Sequence, residues 1–352
     1  MTWHDIGIAD APDSLKQEIT EEMHSFFSSP GFAEYCEPVA AERLCYRQSA
    51  DGAIAEAFCY YRCAGKRCVI FGPVDLSPSL ILELPRTLSC REVVIIRMES
   101  IPPAIAAEPP WRVAVRTTSS DWIIRLPFDE DQYLMSLGAK TRFNLRKYLR
   151  RLQGEWGARF HVRVLEREEI GETEVETLLR LNTLRLAKKA DKTLWSEELL
   201  HRRWQLSTRC GIFVGLYDSD RLVAGTLLYL HRKNAYGVLL GHDPSYDRLN
   251  LGTLALWMTI NQFIRMRLEE LHLLWGDSAY KQHLGASKVD LEELVVFASP
   301  ARALRWHLAD RSNSLRLHAR RRVRRIRWGI ARRIARPSAQ EKQLPASPDG
   351  TG

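Results

Sequence analysis

The chain has 352 residues, of which 45% are hydrophobic and 27% charged, the balance of an ordinary globular protein with room for two domains or lobes. No apolar run approaches the ~20 residues of a membrane-spanning helix. The acidic start MTWHDIGIADAPDSLKQEITEEM lacks the apolar core of a secretory leader, so a cytoplasmic location is expected. The net charge of +8 is uneven: residues 302–336 hold thirteen arginines against one acid, Asp310, which leaves the body before them mildly acidic.

The spacing predicts an amphipathic helix over 13–29, where Leu15, Ile19, Met23, Phe26 and Phe27 recur near helical period. Residues 43–71 read as β-structure with turns at Asp51-Gly52 and Gly65-Lys66. A helix over 79–90 and a strand at Val93–Met98 follow, before Pro102, Pro103, Pro109 and Pro110 interrupt regular structure. A strand at Trp122–Leu126 leads into one long basic helix, FDEDQYLMSLGAKTRFNLRKYLRRLQ. The second half repeats the programme: helices near 172–189 and 196–208, strands 211–217, 221–232 and 235–241, helix 252–268 and strand 271–275.

The seven cysteines are odd in number and follow no leader, which favours reduced thiols. Cys59, Cys63 and Cys68 lack a CxxC pair or a histidine at zinc spacing, so they read as buried structural thiols and no metal is expected.

The most informative stretch is 236–288. It runs strand, polar turn DRLNLGT, a helix apolar on most sides, strand, then the polar step Asp277-Ser-Ala-Tyr280-Lys281. A helix start presents unpaired N–H groups and partial positive charge, a seat for a phosphate. Gly252 there would let a ligand approach the backbone, although a loop with a helix-entry glycine reads the same way.

Three segments resemble the GNAT acyltransferase superfamily and its double-lobed branches, the FemABX-type peptidyltransferases and the CelD/BioF2-like acetyltransferases of polysaccharide biosynthesis. They are SSDWIIRLPFDEDQYLMSLGAKTRFNLRKYLRRL, GLYDSDRLVAGTLLYLHRKNAYGVLLGHDPSYDRLNLG and WGDSAYKQHLGA. The resemblance implies a mixed α/β fold of two GNAT-like lobes, each a central sheet flanked by helices, with a cleft between them. The lobes would span 1–118 and 119–300, followed by an Arg-rich amphipathic helix over 301–336 and a tail over 337–352 too polar to build a core.

It further implies acyl-CoA, acetyl-CoA foremost, as donor, held at Asn250, Leu251, Gly252 and Thr253. The family's loop reads Gln/Arg-x-x-Gly-x-Gly/Ala, whereas this chain has Asp247-Arg-Leu-Asn250-Leu-Gly252. Asn250 can take a glycine's left-handed conformation, but Asp247 would repel a phosphate. The FemABX-type relatives use aminoacyl-tRNA, so the donor stays open between the two.

Acyl transfer needs a proton acceptor for the nucleophile and a donor for the leaving group. Asp277 or Asp243 is expected as base or acceptor-binding carboxylate, with His242 beside them. Tyr280 is the expected acid or orienting hydroxyl, and Lys281 a point charge for a substrate anion. The alternative for His242-Asp243-Pro244 is a turn with an Asx-type bond. Arg142, Arg146 and Arg150 share a helix face, either solvated or in contact with phosphate; Arg142, Arg146 and Tyr246 are the substrate-binding candidates.

In the tail, Leu315, Ala319, Val323, Ile326, Ile330 and Ile334 form one narrow stripe among arginines, as suits a helix lying on an anionic membrane surface. Nucleic acid competes for the same charge. The expected function is transfer of an acyl group to a sugar or cell-envelope precursor at the inner membrane face. The alternatives are a tRNA-dependent peptidyltransferase and a non-catalytic ligand-binding fold.

Overall fold

The structure of the chain, a computed structural model, describes residues 3–310 apart from 24, 37–41, 64–65, 73–75, 188–196, 275 and 277–278. In chain order the elements of the first half are β1 (Trp3–Gly7), α1 (Asp13–Glu22), α2 (Pro30–Cys36), β2 (Glu42–Gln48), β3 (Ile54–Cys63), β4 (Arg67–Phe71), α3 (Pro78–Thr87), β5 (Glu92–Met98), α4 (Pro103–Ala106) and β6 (Val113–Arg125). Then come α5 (Glu130–Ser136), α6 (Ala139–Trp156), β7 (Phe160–Glu166), α7 (Glu172–Ala187), α8 (Glu197–Cys210), β8 (Gly211–Asp218), β9 (Arg221–His231), β10 (Asn234–His242), α9 (Leu251–Arg265), β11 (Glu270–His272), α10 (Ala279–His283) and β12 (Ser287–Phe297).

The twelve strands of the described residues form one mixed sheet in the order β1-β2-β3-β4-β5-β12-β6-β11-β10-β9-β8-β7. The expected mixed α/β architecture is present, and the two lobes are halves of a single sheet. Its spine is the antiparallel pair β6 and β12, which runs from Ser287↔Ile123 to Val296↔Val113. β6 crosses the boundary expected at 118/119, and β12, late in sequence, pairs with β5 of the first half. The two halves therefore share strands.

Period-two alternation sorts the second half into two layers. Ile124, Ile212, Leu228 and Leu271 face α6 and α9, packing on Leu145, Leu152, Trp257 and Phe263. Phe213, Leu227 and Leu239 face Val175, Leu178 and Leu179 of α7. On that same face, Phe26 and Phe27 cover Tyr229 and Tyr236. α9 is apolar nearly all round because it is interior, and the Thr226–Thr259 hydroxyl pair (2.7 Å) ties it to β9.

Several expected elements change. The long basic helix is broken into α5 and α6 at Leu137-Gly138, both extended (ψ 152° and 144°). Asp129 caps α5 through the Gln132 N–H (2.7 Å), while Arg142 donates to the Met135 (3.1 Å) and Leu137 carbonyls at its end. The strand expected over 271–275 stops at His272, and Leu274 takes a positive φ of 56°. Cys45, Cys59, Cys68 and Cys90 are buried thiols, but Cys63 is exposed at the end of β3.

Of the expected Arg-rich helix only the start is described, a helix through 300–310. Arg302 and Arg67 both pair with Glu92, which is 1% exposed, and Trp306 packs on Phe297. Burial opposes ionisation of Glu92, yet the two guanidinium partners hold its carboxyl below the usual range. The apolar stripe Leu315–Ile334 lies outside the described residues. No helix among the described residues is long and apolar enough to cross a membrane.

Candidate active site

β10 and β11 are parallel neighbours joined by the α9 crossover, and they pair only from Asn234↔Glu270 to Tyr236↔His272. β11 ends there, whereas β10 bulges between Gly237 and Leu239 and continues to His242. The strands diverge into a wedge with its apex at Tyr236/His272. α9 begins at the far end of the wedge.

At that far end the structure brings together His242, Asp243, Tyr246, Asn250, Leu251, Gly252 and Thr253. Asn250 holds the left-handed conformation expected of it (φ 54°, ψ 41°), and its side chain does not cap the first turn of α9. Gly252 is pressed against a side chain: a Cβ there would lie 2.9 Å from His242 Nδ1. His242 Nε2 meets Asp247 Oδ1 at 3.2 Å, so the acid that departs from the family's loop is turned onto this histidine.

Asp243 is 5% exposed and caps the turn before α9. It accepts from the Ser245 N–H (2.9 Å) and hydroxyl (2.7 Å) and pairs with Arg221. Burial opposes its charge, but the Ser245 bonds and Arg221 keep its carboxyl below the usual range. Its oxygens are thus occupied, Oδ1 by the Asx-type turn that the sequence held open as an alternative and Oδ2 by Arg221. Tyr246 stands edge-on to Trp156 (5.2 Å), with Arg221 over its ring.

Tyr280 and Lys281 lie in α10, beyond the end of β11. Tyr280 is half-buried, and burial raises its phenol above the ordinary value, with Arg185 opposing. Lys281 is 3% exposed and donates to the carbonyls of Leu273 (2.9 Å) and Leu274 (2.8 Å), bracing the segment where β11 turns away. Leu137 touches Gly285 and the Tyr133 hydroxyl donates to Leu284 O (3.0 Å), so the α5–α6 corner borders this turn. Arg142 closes that corner, and Arg146 is exposed on α6. Asp277 lies outside the described residues.

Sequence reasoning missed the other side of the apex. On the sheet face away from α9, a cavity of about 320 Å³ has Glu99, Asp121, Asn234, Tyr236, Glu270 and His272 among its lining residues. His272 (4% exposed) places Nδ1 3.0 Å from Asp121 Oδ2, and Asp121 (2% exposed) accepts the Trp122 N–H on its other oxygen (2.7 Å). Tyr236 stacks on the imidazole at 4.4 Å and 13°. An aspartate in SSDWIIR and a histidine in ELHLLW, 151 residues apart, carry no local motif; the available signal was a polar residue within each apolar strand pattern.

Residues 139–282 match the family model described as an acetyltransferase (GNAT) domain. FemX is similar in structure at a TM-score of 0.62 and 8% identity, over 84% of this chain and 97% of that one. A conserved protein of unknown function from Bacteroides thetaiotaomicron gives 0.58 and 12%, over 84% and 99%. L-PGS from Bacillus licheniformis gives 0.54 and 13%, over 82% and 92%. No curated protein matches the chain in sequence. The second half of the chain thus resembles a GNAT domain, and the chain shares its fold with FemX across both lobes.

Proposed function

We propose that the chain is an acyltransferase that holds acetyl-CoA or another acyl-CoA in the β10–β11 wedge and acylates a small-molecule or glycan-precursor acceptor. The observation that carries this is the end of β10–β11 pairing at Tyr236/His272, while β10 runs on to the start of α9. Six further residues of strand span roughly 20 Å at ~3.3 Å each. Acyl-CoA has matching chemistry: an anionic diphosphate, an extended arm with amide groups, and a thioester at its end. The arm would lie along the open side of β10 as an added strand does, with the diphosphate at the first turn of α9. Metal ions have no part in this reading.

A second donor is favoured by one observation. Lys140, Arg146, Lys147 and Arg150 are all exposed on α6, a basic surface suited to RNA phosphates and hence to aminoacyl-tRNA. Thermal denaturation with CoA, acetyl-CoA and bulk tRNA at matched ionic strength separates the two. A ligand at 100 times its Kd adds about 2.7 kcal/mol of stability.

The control is Thr253→Glu. A carboxylate in the first turn suits the helix but repels a diphosphate, so this variant should keep its fold and lose CoA binding at least tenfold. A shift with tRNA alone would move the assignment to peptidyl transfer. CoA binding unaffected by Thr253→Glu would remove the donor from α9.

A further inference from the structure

The helix through 300–310 is held on one side and bare on the other. Ala303 is 1% exposed among Val94, Ala114, Val295 and Phe297, so the inner side sits on β5, β6 and β12. Four side chains fix its angle. Arg302 Nε pairs with the buried Glu92 of β5 at 2.7 Å, and Trp306 packs on Phe297 beneath the Arg116 guanidinium. Asp310 pairs with Arg116 of β6 at 3.1 Å, and His307 Nε2 meets the Pro110 carbonyl at 2.9 Å. Rolling this helix about its axis would strip a buried carboxylate of one of its two partners, which is costly.

The outer side is apolar where an exposed helix face is ordinarily polar. Leu304 and Leu308, one turn apart, are 62% and 59% exposed, with exposed Arg305 beside them. Trp111, next in chain to the Pro110 that His307 reaches, is 58% exposed. Taken singly such residues are ordinary, but the sequence continues this face. Drawn at 3.6 residues per turn, Leu304 and Leu308 fall within one arc of about 120° with the tail's stripe of Leu315 to Ile334. The thirteen arginines of 302–336 meet only one acid, Asp310, and Arg116 takes up that carboxylate on the inner side.

We propose that Leu304, Arg305 and Leu308 are the fixed end of a membrane-docking surface: the outer face of this helix seats on an anionic lipid bilayer, its leucines in the acyl boundary and its arginines among the lipid phosphates. The folded body thereby sets which way the surface faces, because Glu92 and Arg116 hold the roll of the helix against the sheet. The occupant follows from the combination of charge and apolar phase. A second copy of the chain would bring thirteen more arginines against the same charge, and nucleic acid would bind the charge with no use for leucines in phase with it. An anionic bilayer takes both. This inference stands apart from the acyl donor proposed above.

The test uses the full chain with vesicles of phosphatidylserine and phosphatidylcholine, and of phosphatidylcholine alone, read by co-sedimentation. Leu304→Ser/Leu308→Ser should keep the wild-type thermal midpoint, since both side chains are exposed, and bind the anionic vesicles at least tenfold more weakly. Leu304→Phe/Leu308→Phe should bind them at least threefold more tightly. At 1 M salt, where charges are screened within about 3 Å, the wild type should retain more binding than the serine variant. Equal affinity in all three chains would overturn the proposal and leave the helix a solvated link to the tail. Wild-type binding to RNA but to neither vesicle would overturn it in favour of nucleic acid.

Glu92→Gln leaves the charge of residues 302–336 as it is and frees the helix from its clamp. Amide exchange over 300–310 should rise, and affinity for the anionic vesicles should fall at least threefold. Raised exchange with undiminished affinity would overturn the body's part in setting the face.

Discussion

Gly252 at the start of α9 and His242 at the end of β10 are in direct contact: the glycine's missing Cβ is the space the imidazole occupies, 2.9 Å from where that atom would be. The contact links the turn of the proposed phosphate seat to the end of the strand along which the donor's arm would run. His242 is held in turn by Asp247, so the loop Asp247–Gly252 closes on itself around the ring.

Gly252→Ala should therefore displace His242. Inserting a methyl into a filled contact costs about 1–3 kcal/mol, and the altered turn should weaken CoA binding at least tenfold. Chemical denaturation and calorimetric CoA titration check the two effects separately. An unchanged CoA affinity in a destabilised variant would make the glycine a packing residue alone.

Lys281→Met should cost about 3 kcal/mol, since two bonds from a charged donor to the Leu273 and Leu274 carbonyls are lost. Those carbonyls set where β11 leaves the sheet, so amide exchange should rise over 271–274. If Lys281 instead holds a substrate anion, the variant would lose affinity for that anion with little change in stability.

Asp243 makes stability depend on pH with a definite sign. Its folded carboxyl titrates below the usual value, so its contribution is complete at neutral pH and disappears as pH falls through that lowered value. Asp243→Asn should be less stable than wild type at pH 7, and the difference should shrink toward zero in strong acid. Urea midpoints measured at descending pH would show it; a constant difference would assign the loss to packing.

Eleven of the thirteen arginines in 302–336 follow Asp310. A chain ending at Asp310 should lose binding to vesicles rich in anionic lipid and retain CoA binding, each basic residue near the surface being worth about 1 kcal/mol. Co-sedimentation with anionic and neutral vesicles tests it. Undiminished binding after truncation would discard the tail as an anchor, and tail-dependent binding to RNA alone would assign its charge to nucleic acid.

Much of the second half was legible locally. An all-round apolar helix, Leu254 to Ile264, between two β-patterned runs can only be an interior crossover, and Asn250 before Gly252 is a residue pair suited to a left-handed helix entry. The break at Leu137-Gly138 was less legible, because the flanking residues are good helix formers and the stop depends on Arg142 closing the carbonyls of α5. β1 and β12 escaped notice because their charged residues obscure the alternation: Asp5 and Glu293 find their partners on other segments, in Arg43 and Arg116.

By its own patterning, then, the sequence determined the β10–α9–β11 crossover, the helix-entry turn and the separation of an acidic body from a basic tail, since each depends on neighbours within one or two turns of chain. The tertiary structure alone decided that the halves share β6 and β12, that β11 ends at His272 and opens a wedge, and that Asp121 meets His272 beside a cavity lined with carboxylates. These depend on strand register and on contacts across more than a hundred residues, and a side chain's face and partner across a sheet are set by pairing that no local period encodes.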